Sequence, residues 1–185
     1  MNRGVLALFT VLALGGCARG GSPTPRGDCA SEGAPIVDAT LLAWLSKARA
    51  LHHEADSAEA ESAPAKAIAA LERVSSGRVP PAPEAEEVLA DTRARLAELR
   101  AGVGDFSRAI DDVNDGLAHA KQATYFRGHL YEVMGLVEEK HAAALEKKGD
   151  AASARDARKR AIEASEQAVK IQDEVISQAL GKERR

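Results

Sequence analysis

Aromatic side chains are scarce in this chain, since Phe, Trp and Tyr together make up 3% of its 185 residues. Runs of β-branched residues are also absent, whereas alanine is found throughout. Strands favour aromatic and β-branched residues, and alanine is the strongest helix former. The composition therefore predicts an all-α fold, and the length suits one compact domain.

Long apolar runs are lacking as well. The most apolar stretch, residues 5–14, has ten residues, whereas a helix needs about 20 to cross a bilayer. This stretch follows a short positive start at Asn2-Arg3 and is closed by Leu14-Gly15-Gly16-Cys17, which is the layout of a secretory signal. We therefore interpret it as a signal and not as a membrane span.

The usual signs of catalysis and of nucleic-acid binding are missing too. The formal net charge is −3, and no basic patch with interleaved aromatics occurs, so we expect no nucleic-acid partner. The mature domain has no Gly-rich phosphate loop and no recognisable nucleophile arrangement. His52 and His53 are adjacent, so on a helix they point about 100° apart and cannot readily chelate together. We expect no enzyme activity, no metal and no cofactor.

Three aspartates, Asp111, Asp112 and Asp115, crowd one predicted helix. No coordinating loop accompanies them, so calcium binding is not expected. Carboxylates on helices usually face solvent, and we expect these three to do so.

The amino terminus carries a second motif. Leu14-Gly15-Gly16-Cys17 resembles the bacterial lipobox, which implies a lipoprotein signal peptide over residues 1–16 and a lipidated Cys17. Its acyl chains would hold the protein to a membrane. Ala18 is not the aspartate that commonly retains lipoproteins in the inner membrane, so the resemblance implies a location on the outer membrane, facing the periplasm.

Residues 17–35 have linker composition, rich in glycine and proline. Cys29 lies in this linker and has no intrachain partner once Cys17 is acylated, which leaves a free thiol or an intermolecular link as alternatives. Residues 181–185 form a polar tail that we expect to fray.

The domain between these segments, residues 36–180, contains three pairs of apolar-periodic segments, which predict six antiparallel helices. The predicted helices cover 37–61, 64–74, 84–101, 106–120, 124–148 and 151–180. Asp105 is the expected N-cap of the fourth helix, and Gly149-Asp150 is expected to break the last pair. In the sixth helix a seam of alanines favours close packing, and a second stripe, Ile162, Val169 and Ile176, is expected to cover the central pair.

The central pair carries a recognisable pattern: Leu96-Ala97, then Gly104-Asp105-Phe106, then Ala109-Ile110 and Gly116-Leu117. It resembles the tetratricopeptide repeat, although Arg93 and Arg100 stand where that family has aromatic residues. The flanking pairs resemble lengthened copies, with Ala-Ile pairs at Ala67-Ile68 and Ala161-Ile162.

The resemblance implies an α-solenoid of stacked hairpins whose first helices line a concave surface that binds a protein segment. By register, the candidate partner-binding residues are Arg49, His52, His53, Asp91, Arg95, Glu98, His129, Glu132 and Glu139.

Three functions are open at this point. The leading hypothesis is a lipid-anchored adaptor that binds protein partners in the cell envelope. A self-associating helical lipoprotein, in which the alanine seam of the sixth helix faces a second copy, is an alternative. An envelope hydrolase or metalloenzyme is the third.

Overall fold

The computed structural model describes residues 38–183, which form six α-helices and no strand. They are α1 (Ala39–Ala60), α2 (Pro64–Glu72), α3 (Pro83–Gly102), α4 (Phe106–His119), α5 (Tyr125–Lys147) and α6 (Ala151–Glu183). The all-α prediction is confirmed. The predicted signal peptide, Cys17, the predicted linker and Cys29 lie outside the described residues. Within them, no helix combines the length and apolar character that crossing a bilayer requires.

Local sequence signals account for the helix ends. The side chain of Asp105 accepts a hydrogen bond from the backbone N–H three residues on, as does that of Asp150 at the start of α6. Gly104 and Gly149 adopt φ values of +83° and +82°, a conformation that favours glycine. The predicted N-cap and the predicted break at Gly149-Asp150 are both confirmed.

The helices form three hairpins, α1/α2, α3/α4 and α5/α6, which stack in chain order. Helix α3 contacts both helices of the first hairpin, and α5 contacts both helices of the second. Helices α1, α3 and α5 are therefore successive neighbours. Helix α6 contacts α5 alone among the described helices.

Helix α3 lies at the centre of the core, because it contributes to all three buried clusters. Leu89 packs with Trp44 and Leu51 of α1, and Leu96 packs with Leu71 of α2. The alanines on its other side, Ala90, Ala94, Ala97 and Ala101, pack with buried residues of α4 and α5. Because α3 is enclosed on several sides, its buried positions exceed the single stripe that the sequence indicates.

One of the three aspartates of α4 is not on the surface. Asp112 is 2% exposed and accepts hydrogen bonds from Arg93 and Arg100 of α3. The expectation of a solvent-facing carboxylate is wrong for Asp112, because Arg93 and Arg100 of α3 supply its counter-charges. Asp111 and Asp115 are exposed, as expected.

Helix α6 uses its alanine seam as predicted but differs in two other respects. Residues of the seam from Ala154 to Ile171 are buried, and α5 is the only described helix that α6 contacts. The second stripe is not covered by another described helix: Ile162, Val169 and Ile176 are 60%, 57% and 56% exposed. The predicted contact with the central pair is wrong, because α6 contacts neither α3 nor α4. The helix also continues to Glu183, three residues beyond its predicted end.

Candidate partner-binding surface

The nine candidate residues fall into two groups. Five of them, Arg49, His52, His53, Asp91 and Arg95, lie on α1 and α3, which are in contact. A further three, His129, Glu132 and Glu139, lie on α5; Glu132 accepts a hydrogen bond from Gln172 of α6, and Glu139 lines a groove together with residues of α6. Glu98 is half-buried on α3 and makes no side-chain hydrogen bond to another described residue. The structure therefore does not join all nine into one site.

The first group is centred on His52. Its Nε2 atom lies 2.9 Å from the hydroxyl of Thr92, a residue of α3 that is 1% exposed. That hydroxyl donates its single proton to the carbonyl oxygen of Val88, 2.7 Å away. Since the hydroxyl has no second proton to give, His52 donates through Nε2–H. The hydrogen bond fixes the tautomer of the neutral ring and ties α1 to α3.

The charge state of His52 follows from its surroundings. Burial lowers its pKa below 6.5, and the positive charge of Arg95 acts in the same direction. The carboxylates of Asp91 and Asp56 oppose this shift. At neutral pH the ring is therefore uncharged, and the group offers one neutral imidazole among charges of both signs.

Arg95 makes the second link between α1 and α3. Its Nη2 atom lies 2.5 Å from carboxylate oxygens of both Asp56 and Glu59, two residues of α1. The side chain of Arg95 is 24% exposed, and these two carboxylates hold it in place. Little of its hydrogen-bonding capacity remains for a partner, and its role is mainly to position α1 against α3.

The surface of α1 has a depression of about 590 Å³ beside these links. The depression is lined by Arg49, His52, His53 and Asp56 together with Ser46 and Ala50. The exposed side chains of Arg49 and His53 are available at its rim. The depression thus offers a cation, two imidazoles and a carboxylate within two turns of one helix, which suits a polar protein segment.

The second group, on α5, forms a different surface. His129 lies 3.2 Å from Glu132 and stacks on Tyr125, with ring centroids 5.9 Å apart. Glu132 in turn accepts a hydrogen bond of 2.5 Å from Gln172 of α6. These side chains therefore serve the α5/α6 hairpin, and no hydrogen bond or ion pair between described residues connects them with the depression on α1.

The sequence did not predict three residues of the α1/α3 surface: Asp56, Glu59 and Thr92. Asp56 and Glu59 are one turn and two turns beyond His52 on the helix, and this spacing was available as a signal. Thr92 has no such signal, because its burial depends on how closely α1 approaches α3.

The described residues contain no group of three or more His, Cys, Asp or Glu side chains that is placed to hold a metal ion. Comparisons of the chain with protein-family models, with curated proteins and with solved structures found no match. The class that the fold defines is an all-α protein of three stacked helical hairpins, and its function has to be argued from its own surfaces.

Proposed function

We propose that this protein is a lipid-anchored adaptor of the tetratricopeptide-repeat type, which faces the periplasm and binds a protein partner of the cell envelope through the α1/α3 surface. The observation that carries the proposal is the His52–Thr92 and Arg95–Asp56 linkage, which holds two successive first helices together beside an open polar depression. A binding surface on rigid helices needs such fixed side chains.

The order of helix contacts supports the same proposal. Helices α1, α3 and α5 are consecutive neighbours, and α2 and α4 each contact their own hairpin partner and the helix that follows. This arrangement gives the first helices a common surface, as the repeat resemblance implies. We propose that the role of this surface is to bind a protein segment.

A crosslinking experiment tests the binding surface. A photoreactive amino acid placed at Arg49 or at His53 in the full chain should give the same discrete adduct with an envelope protein in intact cells. The matched control is Asp111, an exposed residue of α4 outside the first helices. An equal adduct from Asp111, or none from Arg49 and His53, would contradict the proposal.

A second experiment tests the anchor separately. Cys17→Ser should abolish incorporation of a fatty-acid label and leave the chain unprocessed, whereas Cys29→Ser should leave labelling and processing unchanged. If the Cys17→Ser chain is still labelled, or if the wild-type protein is released without lipid, the lipoprotein assignment is wrong. The outcome does not depend on the partner, so the two halves of the proposal fail independently.

A further inference from the structure

The exposed stripe on α6 and the groove beside it have no function in the adaptor proposal. Ile162, Val169 and Ile176 recur every seven residues, and a straight helix drifts only about 20° over that interval, so the three side chains lie in one row. Each is more than half exposed, which is an unusual arrangement for a row of branched apolar residues on a monomer. Such rows are typical of an interface between helices.

The row borders a groove of about 680 Å³ between α5 and α6. Its wall on α5 includes Gly135, where an added Cβ would lie 2.9 Å from the hydroxyl oxygen of Ser165 and 3.2 Å from the carbonyl oxygen of Ala161. The backbone of α5 therefore approaches α6 closely at this point. Because Gly135 has no side chain, the surface beside this contact is a groove and not a ridge. The groove has the shape that a further helix needs.

The fold itself shows what fills such grooves. Helix α3 packs on α1 and α2, and α5 packs on α3 and α4, so each of the first two hairpins receives a helix. Accordingly, Ile68 and Ile110, the isoleucines of the first two Ala-Ile pairs, are partly buried against core clusters. Ile162 is the corresponding residue of the third pair and is exposed. By this comparison, the third groove is suited to an amphipathic helix that runs antiparallel to α6.

The charge pattern of α6 is suited to a second copy of α6 itself. Its first part, residues 151–162, carries a net charge of +3, and residues 163–177 carry −3. Two copies in antiparallel orientation place the basic first part of each α6 beside the acidic second part of the other, while the two Glu166 side chains meet near the centre of the contact. Glu166, Lys170 and Asp173, which line the groove, form no ion pair with another described residue and are free to take part.

We propose that two copies of this protein associate through α6 about a two-fold axis near Ser165 and Glu166. In this register Ile162 lies opposite the partner's Val169, and each contact occurs twice as two-fold symmetry requires. Arg158, whose guanidinium also lies 2.5 Å from a carboxylate oxygen of Glu146 in α5, lies opposite the partner's Asp173. Helix α6 of each copy fills the α5/α6 groove of the other. The alanine seam takes no part, because α5 already covers it. The proposal rests neither on the lipid anchor nor on the adaptor role.

The first test is the mass of the full-length chain in a mild detergent, measured by light scattering that separates protein from detergent. We expect the mass of two chains. The variant I162E/V169E should bind its copy at least about 30-fold more weakly, the effect of losing one central apolar anchor. The control L42E/V103E changes two residues of similar exposure elsewhere, at 51% and 53%, and should remain a dimer.

Charge exchange tests the register. Arg158→Asp and Asp173→Arg should each weaken the dimer, because each places like charges opposite one another, and the double variant should restore it. Circular dichroism should show the same helicity in all variants. If the two residues face solvent in a different dimer, the double variant is not expected to restore dimerisation. A double variant that does not restore the dimer therefore overturns this register.

Crosslinking in cells gives a test without detergent. In a Cys29→Ser background, Glu166→Cys places a thiol beside the proposed axis, and mild oxidation should produce a disulfide-linked dimer. Gln167→Cys, an exposed neighbour that points away from the stripe, is the control. The proposal would be overturned by any of three outcomes: a protein that is monomeric at all concentrations, a dimer that I162E/V169E leaves intact, or a monomer that binds neutral phospholipid vesicles through these residues.

Discussion

A carboxylate oxygen of Asp112 in α4 lies 2.8 Å from a guanidinium nitrogen of Arg93 in α3, at a point where the carboxylate is almost completely buried. Arg100, one helical heptad beyond Arg93, binds the other oxygen of the same carboxylate and extends to Glu72 of α2. Burial raises the pKa of Asp112, and the two arginines oppose that rise. This ion cluster joins the three helices α2, α3 and α4.

Removing the charge of Asp112 should destabilise the protein strongly. Asp112→Asn preserves the shape but leaves two largely buried guanidinium groups without their shared counter-charge, so the free energy of unfolding should fall by about 3 kcal/mol. Asp115→Asn is the control, because that carboxylate is 61% exposed and lies 3.5 Å from Arg93; it should cost less than about 1 kcal/mol. Urea unfolding measures both, and equal losses would contradict the assignment.

Replacing the whole cluster should be tolerated better than breaking it. The triple change of Arg93, Arg100 and Asp112 to leucine removes the buried charges and supplies apolar packing, so most of the stability lost in Asp112→Asn should return. Glu72 and Asp115 lose an arginine partner, but their side chains are 51% and 61% exposed and remain solvated. The free energy of unfolding of this variant should exceed that of Asp112→Asn. A triple variant less stable than Asp112→Asn would contradict this expectation. It would show that the ion cluster stabilises the fold more than apolar packing at the same three positions does.

Gly116 should resist even the smallest side chain. A Cβ at this position would lie 2.5 Å from a methyl group of Leu130 and 3.1 Å from the Cβ of Arg93. Gly116→Ala should therefore lower the free energy of unfolding by about 1–3 kcal/mol through overpacking, although alanine is the better helix former. The control is Gly102→Ala at the end of α3, where the added Cβ meets nothing within 4 Å and stability should not fall.

The α5/α6 hairpin has its own buried ion pair. Glu138 is 3% exposed and binds Arg160 through two hydrogen bonds of 2.6 and 2.8 Å. Glu138→Gln should cost about 1–3 kcal/mol, since a hydrogen bond to a buried charged group is lost. Glu163→Gln removes an exposed partner of Lys159 and should cost less than about 1 kcal/mol. Thermal unfolding of the two variants in parallel makes the comparison.

His52 should make the stability depend on pH. Because its pKa is lower in the folded protein than the ordinary value of 6.5, the unfolded chain takes up the proton first as the pH falls. The stabilisation is present above pH 6.5 and is lost progressively below it, down to the folded pKa. His52→Gln retains a donor for Thr92 but does not titrate. Between pH 7.5 and 5.5 its free energy of unfolding, measured with urea, should therefore fall less than that of the wild-type protein. An unchanged loss would contradict this account.

The sequence by itself determined the six helices, because their ends depend on local chemistry: the Asp105 and Asp150 caps and the glycines Gly104 and Gly149 act within a few residues of themselves. It also identified most of the buried stripes, since these follow from helical periodicity. The repeat resemblance names His52, Arg95 and Asp91 as candidate partner-binding residues, and that role stays a prediction.

Only the tertiary structure decided which polar groups are buried and which apolar ones are exposed. Asp112 is enclosed because two arginines of another helix reach it, and Thr92 because α1 lies against α3. Ile162 and Val169 are exposed because α6 contacts α5 alone. The physical reason is the same in each case: burial depends on the surface that a neighbouring helix presents, and that surface is distant in sequence.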